Sequence, residues 1–183
     1  MSLARIGRFA LAAILLSTIA YAQKNPMVGG KEMFPNKNII ENAVNSADHT
    51  TLVAAVKAAG LVDTLQGAGP FTVFAPTNAA FQKLPAGTVD NLLKPENKGT
   101  LTTVLTYHVV PGRLSSIDLK KEIKMGNGTA TLKTVSGGTL WAMMKGDDII
   151  LKDEKGGMSK VTQANVFQSN GVIHVVDTVV LPK

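Results

Sequence analysis

Three histidines, His49, His108 and His174, are the side chains of this 183-residue chain best suited to exchanging a proton near neutral pH. They are far apart in sequence and no two stand four residues apart, so they offer no metal-ligand spacing. The chain has no cysteine, which removes disulfides, thiolate zinc sites, Cys-ligated clusters and Cys nucleophiles together. A presented serine would need an elbow such as Gly-x-Ser-x-Gly, and none occurs, although a triad does not require adjacency in sequence. Asp147-Asp148 and Asp153-Glu154 flank one apolar segment and can meet at a sheet end. They lack calcium-loop spacing and read as solvated turn carboxylates. No glycine-rich loop leads into a lysine-bearing helix, so nucleotide binding has no support. These residues predict no catalytic centre, no metal and no cofactor.

Two polar groups embedded in apolar runs invite a different chemistry. His108 follows Tyr107 and continues the helical apolar face of Leu101, Val104 and Leu105. It reads either as a neutral core histidine that fixes a helix-to-strand passage or, with Tyr107, as a surface recognition pair. Asp177 sits among valines, isoleucine and leucine, where a carboxylate without partners is costly. It is expected to accept hydrogen bonds from backbone amides or from Thr77 or Asn78. His174, out of phase with Val175, is expected to face solvent. Asn127-Gly128-Thr129 matches the N-glycosylation acceptor pattern, which matters only in a host with that machinery.

The elements that must position these groups centre on Gly69 to Phe81. Phe71, Val73 and Ala75 alternate with Thr72 and Phe74, all β-formers or apolar, as in a short strand buried on both faces. Pro76 stops the strand, and Thr77 caps a short helix beginning at Asn78. Upstream, residues 38–44 and 52–59 carry amphipathic helical spacing, with Asp48 or Thr50 able to cap the second segment. Residues 61–65 and 89–93 give short helices, and residues 96–107 a longer one. Ser115 or Ser116 starts one turn through Leu119. From Ile123 the pattern changes to strands and tight turns. Asn127-Gly128 and Asn170-Gly171 are hairpin signals, and Val172–Val176 and Val179–Leu181 are strands. Helices first and strands second define an α+β fold with helices packed on a largely antiparallel sheet.

Three segments carry a family resemblance. Gly69 to Phe81 resembles the first signature motif of fasciclin-type (FAS1) domains, and Asn170-Gly171-Val172-Ile173-His174-Val175-Val176-Asp177 through Pro182 resembles the second. Tyr107-His108-Val109-Val110-Pro111-Gly112 resembles the central Tyr-His element between them. The likeness runs from about Asn36 to Pro182, with the motifs in the family's order. It implies a FAS1 fold, N-terminal helices on a mostly antiparallel sheet wedge, and an adhesion or matrix-interaction module rather than an enzyme. Thr72, Thr77, Asn78, Asn170, Gly171 and Asp177 are then framework residues of the motifs. Tyr107 and His108 are both framework and the pair linked to integrin-type adhesion in animal members. The segment Leu101-Thr102-Thr103-Val104-Leu105 lacks the acidic residue of the integrin-associated sequence, which argues against integrin binding.

The chain is 45% hydrophobic and 17% charged, enough apolar material for a packed core. Arg5 and Arg8, an apolar run from Phe9 to Ile19 and Ala20-Tyr21-Ala22 read as a signal peptide cleaved after Ala22, too short to span a membrane. Residues 23–36 then form an irregular arm tied down by Met33-Phe34, and residues 37–183 the FAS1 domain. Removing Arg5 and Arg8 leaves 17 basic against 13 acidic residues, a net charge of +4, with the lysines dispersed. Without a basic stripe and stacking aromatics, nucleic acid is not an expected partner. The expectation is a monomeric, secreted or periplasmic, non-catalytic module for a cell-surface or matrix protein or polysaccharide. The alternative is a carrier of a small apolar ligand.

Overall fold

A computed structural model describes residues 25–183. The expected signal peptide lies outside the described residues. The architecture grows from strand β3 (Phe71–Pro76), whose alternation is set by its residue types. Phe71, Val73 and Ala75 face one hydrophobic core and Phe74 faces a second. Its parallel neighbour β9 (Gly171–Val176) divides in the same way, with Ile173 and Val175 in the first core and Val176 in the second. Neither strand has a solvent face, which is why both read as nearly continuous apolar runs.

Around this pair the sheet has the order β4-β3-β9-β8-β7-β6-β5, where β4 is Val109–Pro111, β5 Thr129–Lys133, β6 Thr139–Lys145, β7 Asp148–Lys152 and β8 Met158–Gln168. Every pairing in it is antiparallel except β3 with β9. The first core is roofed by α1 (Ile39–Ala43), α2 (Thr50–Ala59), α3 (Val62–Gln66) and α6 (Lys98–Tyr107), with the short α4 (Asn78–Gln82) and α5 (Thr88–Leu92) at its edge. The second core lies under α7 (Ser116–Met125), through Leu119 and Ile123. The α+β expectation with a mostly antiparallel sheet is met.

Several local expectations are corrected. Helix α7 runs to Met125 rather than ending near Leu119. Ser115 and Asp118 form a reciprocal capping box, and Leu119 and Ile123, four apart, bury one stripe of an otherwise charged helix. Asn127 and Gly128 do take positive φ, 54° and 101°, but they end this helix instead of turning a hairpin, and the Gly128 N–H donates to the Ile123 carbonyl. The arm is not irregular throughout. β1 (Met27–Val28) and β2 (Lys31–Glu32) pair across Gly29-Gly30, both at positive φ, and Met33 is buried in the first core. Val179–Leu181 is not a strand, because side chains rather than a neighbouring strand satisfy its amides. The Val180 N–H donates to His108 Nε2 and the Leu181 N–H to Asp153 Oδ2.

Candidate functional site

The motif residues meet at the two ends of the β3–β9 pair, and nearly all of them bond inward. At one end, Thr72 Oγ1 donates to the Gly112 carbonyl at 2.7 Å and accepts from the Leu114 N–H at 2.9 Å, tying β3 to the segment after β4. Asn170 is buried in the turn between β8 and β9. Its Oδ1 accepts from the Ile39 N–H at 3.0 Å, while Nδ2 donates to the carbonyls of Leu65 at 2.7 Å and Gly67 at 2.8 Å. A Cβ on Gly171 would overlap the Phe71 carbonyl, so glycine is what lets β9 approach β3 here.

At the other end, Thr77 caps α4 by accepting from the Ala80 N–H at 3.2 Å. Asn78 reaches out of its own helix. Its Oδ1 accepts from the Thr51 N–H and the Thr50 hydroxyl, and its Nδ2 donates to the Ala47 carbonyl. Asn78 thus caps α2, a role expected of Asp48 or Thr50, neither of which makes a side-chain cap there.

Tyr107 and His108 are 0% and 2% exposed, so the surface alternative for this pair has no exposed side chain to act through. The Tyr107 hydroxyl donates to the Thr139 carbonyl at 2.6 Å and accepts from the Glu154 N–H at 3.1 Å. Burial pushes this phenol up to about 12, so it stays protonated. His108 Nδ1 lies 2.8 Å from the Val104 carbonyl, and Nε2 accepts from the Val180 N–H at 3.2 Å. Those partners define a neutral ring with its proton on Nδ1. Burial lowers its pKa to about 4 against the opposing pull of the Val104 carbonyl and Asp153.

Asp177 is only half-buried, and its partners are neither Thr77 nor Asn78. Oδ1 accepts from the Lys160 N–H at 2.9 Å and the Thr178 hydroxyl at 3.0 Å, and Oδ2 lies 3.5 Å from Lys83 Nζ. Burial alone would raise this carboxyl, but these donors more than offset it and hold it below its ordinary value. Asp177→Ala is expected to cost about 1–2 kcal/mol, a melting temperature a few degrees lower. Lys83→Met should cost under about 1 kcal/mol, since an exposed ion pair is screened by solvent. Equal losses in thermal melts would show that the ion pair rather than the amide bond carries the effect.

Three groups depart from what the sequence pattern implies. His174 does not face solvent: it is fully buried, stacked on Phe74 at 5.7 Å, with Nδ1 accepting from the Asn165 N–H and Nε2 donating to the Leu114 carbonyl at 2.8 Å. Asp153 is not a solvated turn carboxylate: it is 4% exposed and accepts from the N–H groups of Lys155, Gly157 and Leu181. The two acidic pairs lie at opposite ends of β7 rather than together. His49, which no motif marked, is buried against Ser46, its Nδ1 2.8 Å from the Ser46 hydroxyl oxygen. Asn127 is exposed, as an acceptor for a glycan requires. Among the described residues no group of three potential metal ligands comes together, and no helix is long and apolar enough to cross a membrane.

This geometry defines a two-core α+β domain whose motif side chains hydrogen-bond within the fold. The Fasciclin domain family model matches residues 47–182, and the chain belongs to that family. Protein sll1483 of Synechocystis is 41% identical over 175 residues, covering 93% of this chain and 90% of that one. Immunogenic protein MPB70 of Mycobacterium bovis is 36% identical, covering 88% and 78%. Cell surface glycolipoprotein MPB83 of the same species is 33% identical, covering 88% and 69%. A solved FAS1 domain pair from the insect cell adhesion molecule Fasciclin I superposes with a TM-score of 0.70 at 19% identity, over 80% of this chain and 51% of that one. That likeness carries the FAS1 fold.

Proposed function

We propose that this protein acts outside the cytoplasm as a non-catalytic adhesion module that contacts a cell-surface or matrix protein or polysaccharide. The observation that carries this reading is the inward use of the motif polar groups. Thr72, Asn170, Tyr107 and His108 all satisfy their hydrogen bonds within the fold. Among the described residues Ser46 and His49 form a buried hydrogen-bonded pair on a cavity wall, but no side-chain carboxylate bonds to either, and this reading places recognition on the outer surface. A relative named as a cell-surface glycolipoprotein and a fold neighbour named as a cell adhesion molecule support the same class.

The test is a pull-down with residues 23–183 immobilised, against envelope fractions of the producing cells and of candidate host cells. Saturable retention of a surface protein or polysaccharide is expected. Retention of nothing, together with turnover in an ester and glycoside substrate panel, would overturn the reading in favour of an enzyme.

A further inference from the structure

The inward residues of β5, β6 and β7, among them Leu140, Ala142, Ile149 and Leu151, fill the second core. Their alternates point the other way and belong to neither core, so strands β5 to β8 present an open face. On an antiparallel sheet such a face is expected to be polar. Here its centre is Trp141, Met143, Ile150 and Met158. Register brings them together: Trp141 stands opposite Lys152 and Lys152 opposite Met158, while in the next row Met143 stands opposite Ile150. Trp141, Met143 and Ile150 are half-buried and Met158 is 53% exposed. Apolar side chains scattered singly over a surface need no explanation, whereas contiguous ones mark an interaction site.

The same face carries a rim of lysines. Lys133, Lys145, Lys152 and Lys160 stand on it against one carboxylate, Asp148, which leaves a net charge of +3. Asp148 is taken up by Lys160 at 2.6 Å, and Lys133 donates to Thr139 Oγ1 at 2.8 Å. Lys145 and Lys152 are exposed and have no side-chain partner among the described residues. We propose that this face docks on the surface of an anionic lipid bilayer. Its span, roughly 15 by 20 Å over four strands, suits a surface better than a narrow chain. The indole and aliphatic side chains fit the boundary between head groups and hydrocarbon, and the lysine stems reach past them to the lipid phosphates. A second copy fits poorly, since a two-fold contact would set lysines against lysines. An acidic glycan answers the charge but has no hydrocarbon layer to receive Met143, Ile150 and Met158. The rest of the outer surface stays free for an adhesion partner.

Trp141 is the protein's one tryptophan, so its fluorescence reports on this face alone. The full chain is titrated with vesicles of phosphatidylcholine and phosphatidylglycerol in equal parts, and with phosphatidylcholine alone. A saturable blue shift of Trp141 emission is expected with the anionic vesicles, weakened by salt and absent with the neutral ones. A lysine at an anionic membrane surface is worth about fivefold in affinity, so Lys145→Gln with Lys152→Gln should weaken binding on the order of 25-fold. Both side chains are exposed, so this double variant should melt like the native protein. Thr131→Lys, exposed on the same face opposite Trp141, should strengthen binding about fivefold. The apolar run of residues 9–19 would hold neutral and anionic vesicles alike and would ignore these changes. No emission shift with anionic vesicles, or an affinity indifferent to the lysines, would overturn the membrane face. Tighter binding to soluble polygalacturonate than to vesicles would overturn it in favour of an acidic glycan.

Discussion

Asn170→Ala is expected to remove on the order of 3–5 kcal/mol, lowering the melting temperature by roughly ten degrees. One amide side chain here serves three backbone groups from two helices, the Ile39 N–H at the start of α1 and the Leu65 and Gly67 carbonyls at the end of α3. Alanine reaches none of them and leaves buried groups unpaired. The loss is a large part of the roughly 5–15 kcal/mol that holds a domain together. Asn170→Asp separates hydrogen bonding from simple volume. It keeps the acceptor for Ile39 but turns a carboxylate oxygen toward two carbonyls, so at neutral pH it should be no more stable than the alanine variant. Urea melts of both variants check this. An Asp variant close to wild type would show that the Leu65 and Gly67 bonds contribute little.

The same residue shows what the sequence could reveal and what it could not. Asn170-Gly171 was legible as a turn because that pair favours hairpins. Neither residue takes a positive φ, however, and their identities are dictated by Ile39, Leu65 and Phe71, about a hundred or more residues away in the chain. Strand β3 and the Thr77 cap were legible because their signals are local: alternation, a proline stop and a hydroxyl three residues before the amide it receives. The full length of α7 is not legible because Lys120, Lys121, Glu122 and Lys124 surround its two buried residues and mask the stripe. The burial of His174 is not legible because alternation gives a side of the sheet, and on β9 both sides are core. The cavity beside His49 carries no local signal, since its walls come from helices and strands scattered along the chain from Val28 to Ile173.

Acidification from pH 7 to about 4 should strip roughly 3 kcal/mol from the folded state through His108 alone. Its pKa falls from 6.5 to about 4 on folding because burial disfavours the charged ring. Between those values the unfolded chain binds a proton that the native chain refuses, so stability rises with pH across the window. The contribution is fully present above about 6.5, shrinks as pH drops, and levels off below about 4. His49 and His174 are also lowered by burial and act in the same direction. Asp177, held below the ordinary carboxylate value, loses its contribution only further down, as pH falls through its folded pKa. His108→Leu isolates the largest part. At pH 7 it should be less stable than wild type by about 2–3 kcal/mol, because the Val104 carbonyl and Val180 N–H lose their partner. On acidification the gap should close, since leucine has no proton to refuse. Urea midpoints at pH 7, 6, 5 and 4 read this directly, provided the slope with urea stays constant. Two parallel curves would show that His108 takes up its proton inside the native fold, and the neutral, doubly bonded ring would have to be given up.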